Sequence, residues 1–332
     1  MRALMCTELG TAEQLQLQDR PALHPGPGEA VVAVHAAALN FPDVLAVAGK
    51  YQIKAALPFV PGGEAAGVVT ELGPGVTSFA VGDRVIYGGS YGAFAEQLCA
   101  PVTSLLAMPP SMDFVTAASF CVTYSTSYHA LKQCAALRAG ETLLVLGAAG
   151  GVGLAAVNLG VAMGAKVIAA ASTEEKLDIA CAAGATERIN YSTESIKDRI
   201  TQLTNRAGVN VVYDPIGGEF SEPALRSMAG CGRFLVVGFA AGSIPRIPLN
   251  LPLLKGCSIV GVFLGAWRAR DPQAYLQNVK ELAGMHAAGR LQPLISRTYA
   301  LEQYVEAFAQ LSGRRAVGKI VFHEPGGLAR SR

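Results

Sequence analysis

A short apolar run ends in a glycine-rich hexapeptide near the middle of the chain. The run is TLLVLG (142–147), and the hexapeptide Ala148-Ala149-Gly150-Gly151-Val152-Gly153 matches G-x-G-x-x-G except that Ala148 replaces the first glycine. Gly150 would let the backbone approach a pyrophosphate, Gly153 would let a helix pack closely on the strand, and free N–H groups at the helix start would bind phosphate charge. The pattern predicts a dinucleotide-binding loop; the alternative is a glycine-rich turn without a ligand.

The end of the next predicted strand distinguishes NAD from NADP. NAD sites place Asp or Glu there, about 20 residues beyond the glycines, to bind the ribose 2′-OH. Here the strand KVIAAA (166–171) leads into Ser172, no acid precedes Glu174, and Lys176 follows. A hydroxyl and an ammonium suit a 2′-phosphate, which a carboxylate would repel. The predicted cofactor is NADPH; the alternative is that Lys176 is a solvated helix residue.

The segment around these motifs alternates strand-like and helical patterns. Such alternation predicts a parallel sheet with helices on both faces, and six strands complete a doubly wound dinucleotide fold. The predicted strands are 142–147, 166–171, 185–190, 210–214, 232–238 and 258–263, and the predicted helices between them are 152–163, 174–183, 194–207 and 219–229.

The flanking segments have a different pattern. Before residue 120, short β-rich runs are separated by Pro-Gly and Gly-rich turns, which predicts a compact and mostly antiparallel domain. After residue 272 the sequence predicts a helix over 273–288, a second near 302–311 and a closing strand, GKIVF (318–322).

The composition excludes some functions. Charged residues make up 16% of the chain, against about 25% in an ordinary globular protein, and the net charge is +2 without a run of Lys or Arg. Neither nucleic acid nor an anionic membrane is therefore an expected partner. Glycines break the apolar stretch 143–171, so we predict no membrane span there. Seven scattered cysteines and no signal-peptide pattern at the N-terminus predict a cytoplasmic protein.

Several further motifs occur besides the glycine loop. They are Asn40-Phe41-Pro42-Asp43, Gly49-Lys50-Tyr51, PFVPGGEAAGVV (58–69), Gly82-Asp83-Arg84-Val85, Asp214-Pro215-Ile216-Gly217-Gly218 and GKIVF. With these motifs the chain resembles the zinc-free quinone oxidoreductase branch of the medium-chain dehydrogenase/reductase superfamily over nearly its whole length. The resemblance implies an α/β protein with a GroES-like, mostly β catalytic domain (1–122), an inserted Rossmann NADPH-binding domain (123–264) and a return to the catalytic domain (265–332), with the active site between the domains.

The resemblance also implies cofactor contacts outside the glycine loop. One set would contact the 2′-phosphate and the other would lie at the nicotinamide. The first set is Ser172, Lys176 and Tyr191, and the second is Thr123, Phe239 and Phe263.

The zinc site of related alcohol dehydrogenases is incomplete here. Those enzymes carry Gly-His-Glu where this chain has Gly62-Gly63-Glu64, and no cysteine lies between Cys6 and Cys99 to supply their first ligand. Cys121 lies near the position of the third ligand, but one thiol cannot make a site that needs three protein ligands. We therefore predict that the protein uses no metal.

The resemblance implies hydride transfer from NADPH to an electron-poor carbon. Charge then develops on a conjugated oxygen, where a hydrogen-bond donor lowers the barrier. Tyr51 and Asn40 are the candidate catalytic residues, and Tyr51 could also protonate the product. The alternatives are that Tyr51 only shapes the cleft and that Asn40 only stabilises a turn; Asp43 is expected to cap or orient its neighbours.

Three functions fit this set of residues. The first is an NADPH-dependent, metal-independent quinone reductase. The second is a reductase of activated C=C bonds in enones, alkenals or enoyl thioesters, and the third is an NADPH-binding structural or regulatory protein with negligible turnover. For an enzyme, a small, hydrophobic, electrophilic substrate is expected. A homodimer is also expected, because the short apolar strand 258–263 would expose unpaired backbone groups at a sheet edge unless a two-fold mate paired with it.

Overall fold

The computed structural model describes residues 1–323 and Leu328. The chain forms two compact units, Met1–Val122 with the described residues from Pro293 onward, and Thr123–Gln292. The strands β1 to β15, in chain order, are Arg2–Met5, Gln16–Asp19, Glu29–Leu39, Glu64–Leu72, Arg84–Gly88, Gln97–Pro101, Leu105–Ala107, Thr142–Leu146, Lys166–Ala171, Glu187–Asn190, Val209–Asp214, Met228–Val236, Ser258–Gly261, Ile295–Tyr299 and Lys319–His323. The helices α1 to α10 are Phe41–Val47, Phe114–His129, Gly151–Ala162, Glu174–Ala182, Ile196–Leu203, Ser221–Arg226, Asn250–Lys255, Leu264–Arg270, Pro272–Ala287 and Tyr304–Ser312.

The second unit is built on a six-stranded parallel sheet in the order β10-β9-β8-β11-β12-β13. The first strand in the chain, β8, therefore lies inside the sheet, and β10 and β13 form its edges. Numbered from β8, the order is 3-2-1-4-5-6, which is the doubly wound arrangement that binds dinucleotides. The apolar residues Leu143–Leu146 of β8 are fully buried, as expected for a strand covered by helices on both faces. The predicted Rossmann-type sheet is confirmed.

The first unit contains a seven-stranded sheet in the order β14-β15-β3-β4-β5-β7, with β6 also paired to β3. All of these pairings are antiparallel except that of β14 with β15, so the predicted mostly antiparallel domain is confirmed. The C-terminal strand β15 pairs with β3, with Val321 opposite Ala38. Phe94 packs edge-to-face on Phe308 and Phe322 in the hydrophobic core of this unit.

The second boundary between the units lies further along the chain than residue 264. The first boundary follows Val122, and the second follows Gln292. Helix α9 belongs to the second unit because its polar side chains are bound there: Tyr128 OH donates to Glu281 Oε2 at 2.6 Å, and Lys132 Nζ donates to the same oxygen at 2.5 Å. Residues 324–327 and 329–332 of the predicted return segment lie outside the described residues.

The apolar stretch 143–171 folds as β8, α3 and β9, as its glycines predicted. Within residues 1–323 and at Leu328, no helix combines the length and the hydropathy needed to cross a bilayer.

Candidate active site

The glycine loop joins β8 to α3. Gly150 is the N-cap of α3 and has no side chain to cap the first helical turn, so backbone N–H groups alone face outward from the helix start. A Cβ atom on Gly153 would lie 2.1 Å from the carbonyl oxygen of Gly147, and Gly147 itself has a φ of +60°. Glycine is therefore required at both positions. The loop fits the pyrophosphate of a dinucleotide, because it offers a helix N-terminus and close backbone approach without a competing side chain.

The remaining loop residues complete this turn. Ala148 is fully buried, and its N–H donates to Ala170 O at 3.1 Å, which joins the loop to β9. Gly151 and Val152 are half-buried at the start of α3, and Val152 O accepts a hydrogen bond from Ser127 Oγ at 2.9 Å. The predicted loop residues thus form one continuous structure at the end of β8.

The three residues predicted for the 2′-phosphate lie together where β9 and β10 end. Lys176 Nζ donates to Ser172 Oγ at 3.3 Å, and the Tyr191 ring packs against Phe220 with 4.5 Å between centroids. Ser192 Oγ donates to Ser172 O at 2.9 Å, so a second hydroxyl lies at the same corner. Sequence reasoning missed Ser192, although its place directly after Tyr191 and the β10 strand was a signal. We call Ser172, Lys176, Tyr191 and Ser192 the ribose corner.

Two acids lie near the ribose corner, in the first turn of α4. Glu174 accepts a hydrogen bond from Asn190 Nδ2 at 2.8 Å and has Arg188 3.8 Å away. Burial lowers the pKa of the Lys176 ammonium, while the charge of Glu175 raises it. A bound phosphate would oppose the effect of burial, because it gives the ammonium an anionic partner.

The residues predicted for the nicotinamide lie on separate elements of the second unit. Thr123 is buried within α2, and Phe239 follows β12, where a Cβ atom on Gly217 would lie 2.7 Å from its ring. Phe263 is the N-cap of α8 and is 45% exposed. Asp214, at the end of β11, accepts the N–H of Gly217 at 2.8 Å and thereby fixes the turn against which Phe239 packs.

Asn40 lies in a buried polar cluster of the first unit. It is the N-cap of α1, and its backbone N–H donates to Asp43 Oδ2 at 2.7 Å, so Asp43 has the capping role predicted from the sequence. Asn40 Nδ2 donates to Glu64 Oε2 at 3.1 Å and to Ala38 O at 3.3 Å. Asn40 Oδ1 accepts from Lys319 Nζ at 2.5 Å. Both hydrogens of the Asn40 amide are therefore bound inside this unit.

Glu64 and Lys319 form a buried ion pair within this cluster. Their side chains are 0% and 4% exposed, and Lys319 Nζ lies 3.2 Å from Glu64 Oε2. The other carboxylate oxygen, Glu64 Oε1, accepts the N–H of Val122 at 2.6 Å. Sequence reasoning missed Lys319; the signal was a single charged side chain in the otherwise apolar strand GKIVF.

The charge of Asp43, a member of this cluster, acts on the phenol of Tyr51. Burial, followed by the charges of Asp43 and Tyr91, raises the pKa of the Tyr51 phenol. Burial also raises the pKa of Asp43 to about 7, although the Asn40 N–H and Lys319 oppose this. Tyr51 consequently keeps its proton at neutral pH and can donate a hydrogen bond.

The position of the missing zinc ligand is tightly packed. A Cβ atom on Gly63 would lie 3.1 Å from Gly89 O, closer than about nine in ten real Cβ contacts. In the part of the chain that the structure describes, no group of three or more His, Cys, Asp or Glu side chains could hold a metal ion.

Comparison with known proteins identifies the family. Two family models match: an alcohol dehydrogenase GroES-like domain over residues 26–110, and a zinc-binding dehydrogenase over residues 151–281. The chain is 42% identical over 326 residues to the quinone oxidoreductase-like protein 2 homolog of Nematostella vectensis, covering 97% of this chain and 88% of that protein. It is 33% identical to the quinone oxidoreductase of Homo sapiens, with 97% of both chains covered.

Solved structures agree with this result. The Escherichia coli quinone oxidoreductase complexed with NADPH superposes with a TM-score of 0.92 at 28% identity, covering 98% of this chain and all of that one. The Pseudomonas syringae quinone oxidoreductase superposes with a TM-score of 0.91 at 34% identity, covering 97% and 99%. The predicted pairing of a GroES-like domain with a Rossmann-type domain is thereby confirmed. The chain belongs to the quinone oxidoreductase branch of the medium-chain dehydrogenase/reductase superfamily.

Proposed function

We propose that this protein is a metal-independent NADPH:quinone oxidoreductase. The observation that carries the proposal is the combination of an uncapped glycine loop with a ribose corner that has an ammonium and two hydroxyls where NAD enzymes have an acid. The E. coli relative that superposes on this chain was solved with NADPH. When bound, NADPH supplies the hydride.

The chain's own residues position the reactants and stabilise developing charge. The glycine loop binds the pyrophosphate, and the ribose corner binds the 2′-phosphate. Phe239, Phe263 and Thr123 are proposed to lie at the nicotinamide. Tyr51 donates a hydrogen bond to the oxygen on which charge develops, because its phenol stays protonated. Asn40 has both amide hydrogens bound to other groups, so we assign it the positioning of its neighbours rather than direct donation.

The same site would serve a reductase of activated C=C bonds, because hydride addition to an enone also places charge on a conjugated oxygen. The test follows NADPH absorbance at one enzyme concentration with p-benzoquinone, with an enone and with neither. We expect fast decay with the quinone. Faster decay with the enone would favour the second function, and no decay above the substrate-free rate would favour an NADPH-binding protein without turnover.

Replacing Lys176 by alanine should weaken NADPH binding roughly tenfold or more and leave NADH binding unchanged. A hydrogen bond to a charged group contributes about 1.5–3 kcal/mol, and 1.4 kcal/mol corresponds to tenfold in affinity. The measurement is the ratio of NADPH to NADH dissociation constants in both proteins. Lys280→Ala is the control, because Lys280 is an exposed lysine on α9. An unchanged ratio in Lys176→Ala would remove Lys176 from the ribose corner.

The purified protein should contain no stoichiometric zinc and should keep its activity after dialysis against a chelator. The reason is that Gly63 replaces one ligand and no cysteine supplies the first, so Cys121 alone cannot make a site that needs three protein ligands. Since one matching family model is described as zinc-binding, elemental analysis is informative here. About one zinc per chain, lost together with activity, would contradict the proposal.

We also propose a homodimer formed through β13. This strand is an edge of the six-stranded sheet, and Ile259 in it is 40% exposed. The neighbouring α7 exposes Leu253 and Leu254 by more than three quarters of their surface. Pairing β13 with its two-fold mate would satisfy its free backbone groups and cover this apolar area. Light scattering at micromolar concentration should give twice the chain mass of 34.4 kDa, and a monomer would refute the proposal.

A cytoplasmic location remains part of the proposal. All seven cysteines lie within the described residues and carry free thiols. Thiols persist in this state in a reducing compartment, whereas exported proteins tend to pair them.

A further inference from the structure

A chain of hydrogen bonds in the second unit ends at a cysteine thiol that the proposed reduction does not use. It runs from Lys132 through Asn278, Gln133 and His129 to Cys134. Residues Ala130–Cys134 form a single π-turn that continues α2. Such turns are rare and occur frequently at functional sites.

Lys132 determines which group donates and which accepts in each hydrogen bond of this network. An ammonium can only donate, so the Asn278 atom 3.0 Å from Lys132 Nζ is the amide oxygen. Asn278 Nδ2 then donates to Gln133 Oε1 at 3.1 Å, and Gln133 Nε2 donates back to Asn278 Oδ1 at 3.1 Å. The Gln133 atom that faces His129 is therefore an acceptor.

The tautomer of His129 follows from this orientation. His129 Nδ1 lies 3.3 Å from Gln133 Oε1 and must carry the proton that it donates to this oxygen. In a neutral imidazole the other nitrogen, Nε2, is then an acceptor, and it lies 3.5 Å from Cys134 Sγ. The Trp267 ring stacks on the imidazole with 4.1 Å between ring centroids and 19° between ring planes, and this stacking holds the imidazole in its orientation. The imidazole lone pair is thus aimed at the thiol.

Before reaction, Cys134 is a protonated thiol and the neutral imidazole of His129 lies beside it as a base. Burial raises the pKa of Cys134 and lowers the pKa of His129, so both groups are neutral before reaction. The charge of Arg270 lowers the pKa of Cys134 and so favours the thiolate when the proton leaves. A base oriented by a third group is the arrangement that activates cysteine nucleophiles.

We propose that Cys134 is a nucleophilic modification site for α,β-unsaturated carbonyl compounds, with His129 as its base. Sγ bonds to the β carbon while its proton passes to His129 Nε2. The electron pair of the C=C bond moves onto the carbonyl as an enolate, which takes the proton back from the imidazolium. The product is a thioether, and no oxidant or reductant is consumed. This reaction does not require NADPH and does not depend on the proposed reductase function.

The chain contains its own reference thiol. Cys231 is exposed and contacts no histidine among the described residues, whereas Cys134 is only partly exposed. If accessibility alone decides the rate, Cys231 is alkylated faster than Cys134. If His129 acts as an oriented base, Cys134 is alkylated at least as fast as Cys231.

The experiment treats the full-length protein, without NADPH, with limiting N-ethylmaleimide and follows each cysteine by peptide mass spectrometry. We expect Cys134 to react at least as fast as Cys231 in the wild type. His129→Phe keeps an aromatic ring against Trp267 but removes the base, so it should slow Cys134 at least tenfold without changing the rate at Cys231. Gln133→Leu keeps the imidazole but removes its orienting acceptor and should also slow Cys134.

Two results would overturn the proposal. One is a wild-type rate at Cys134 below that at Cys231, which needs no variant. The other is an unchanged Cys134 rate in His129→Phe. Trp267 is the chain's single tryptophan, so its emission reports whether each variant keeps the native packing of this turn.

Discussion

Replacing Lys319 by methionine should lower the stability of the protein by about 3–5 kcal/mol, because this removes one partner of a buried ion pair and leaves the other charge uncompensated. Glu64 is fully buried, and its second oxygen is already occupied by the Val122 N–H. Asn40 Oδ1 would also lose the ammonium that it accepts from. For a unit of this size the loss corresponds to a fall in melting temperature of roughly 6–20 °C.

A second substitution separates charge from packing. Glu64→Gln in the Lys319→Met background removes the orphaned charge and should recover part of the loss, so the two substitutions should be non-additive. Lys280→Met is the matched control, since it removes an exposed lysine and should change stability by no more than about 0.5 kcal/mol. Thermal melts of five proteins make the comparison: the wild type, Lys319→Met, Glu64→Gln, the double variant and Lys280→Met. A loss in Lys319→Met as small as that in Lys280→Met would show that the pair contributes nothing.

The cofactor-binding half of the site could be predicted from sequence because its signals are local. The strand that ends in glycines, the missing acid before Glu174 and the lysine at 176 all lie within 35 residues of one another. Each signal depends on one strand end or one helix start, where residue type and backbone geometry are directly coupled.

The buried cluster around Asn40 could not be predicted in this way. Asn40, Glu64 and Lys319 are joined by the pairing of β15 with β3 and of β3 with β4, and no local pattern indicates which strands become neighbours. The same limit applies to the second boundary, because α9 is bound to the second unit through side chains more than 140 residues away, such as Tyr128 to Glu281. Long-range pairing is decided by packing rather than by periodicity.

The protein should reduce a quinone or an enone at least a hundredfold faster, in kcat/KM, than a saturated ketone of similar size. Hydride addition to an isolated carbonyl builds a localised alkoxide, and zinc enzymes stabilise it by Lewis acidity worth several kcal/mol. A difference of about 2.7 kcal/mol corresponds to a hundredfold in rate. Addition to a conjugated acceptor spreads the charge, so the hydrogen bond that we propose for Tyr51 is expected to suffice.

One pair in the sequence has the spacing of an alternative proton donor. Tyr128 and Lys132 form a Tyr-x-x-x-Lys, the pattern in which a lysine assists a tyrosine that protonates an isolated carbonyl oxygen. Here both side chains are bound to Glu281, at 2.6 Å and 2.5 Å. Burial and this carboxylate raise the pKa of Tyr128, which opposes proton donation. The pair therefore holds α9 in place, and we do not expect it to protonate a ketone oxygen.

Tyr51→Phe then distinguishes the two conjugate reactions. An enone needs a proton on carbon or oxygen to complete its reduction, whereas a quinone yields a stable hydroquinone anion that water can protonate. If Tyr51 donates a proton, kcat/KM should fall strongly with the enone and only slightly with the quinone. Equal and small losses with both would mean that Tyr51 only shapes the site. A saturated ketone that is reduced fastest would contradict metal-free conjugate reduction altogether, because its localised alkoxide demands stabilisation that a single phenol hydroxyl does not supply.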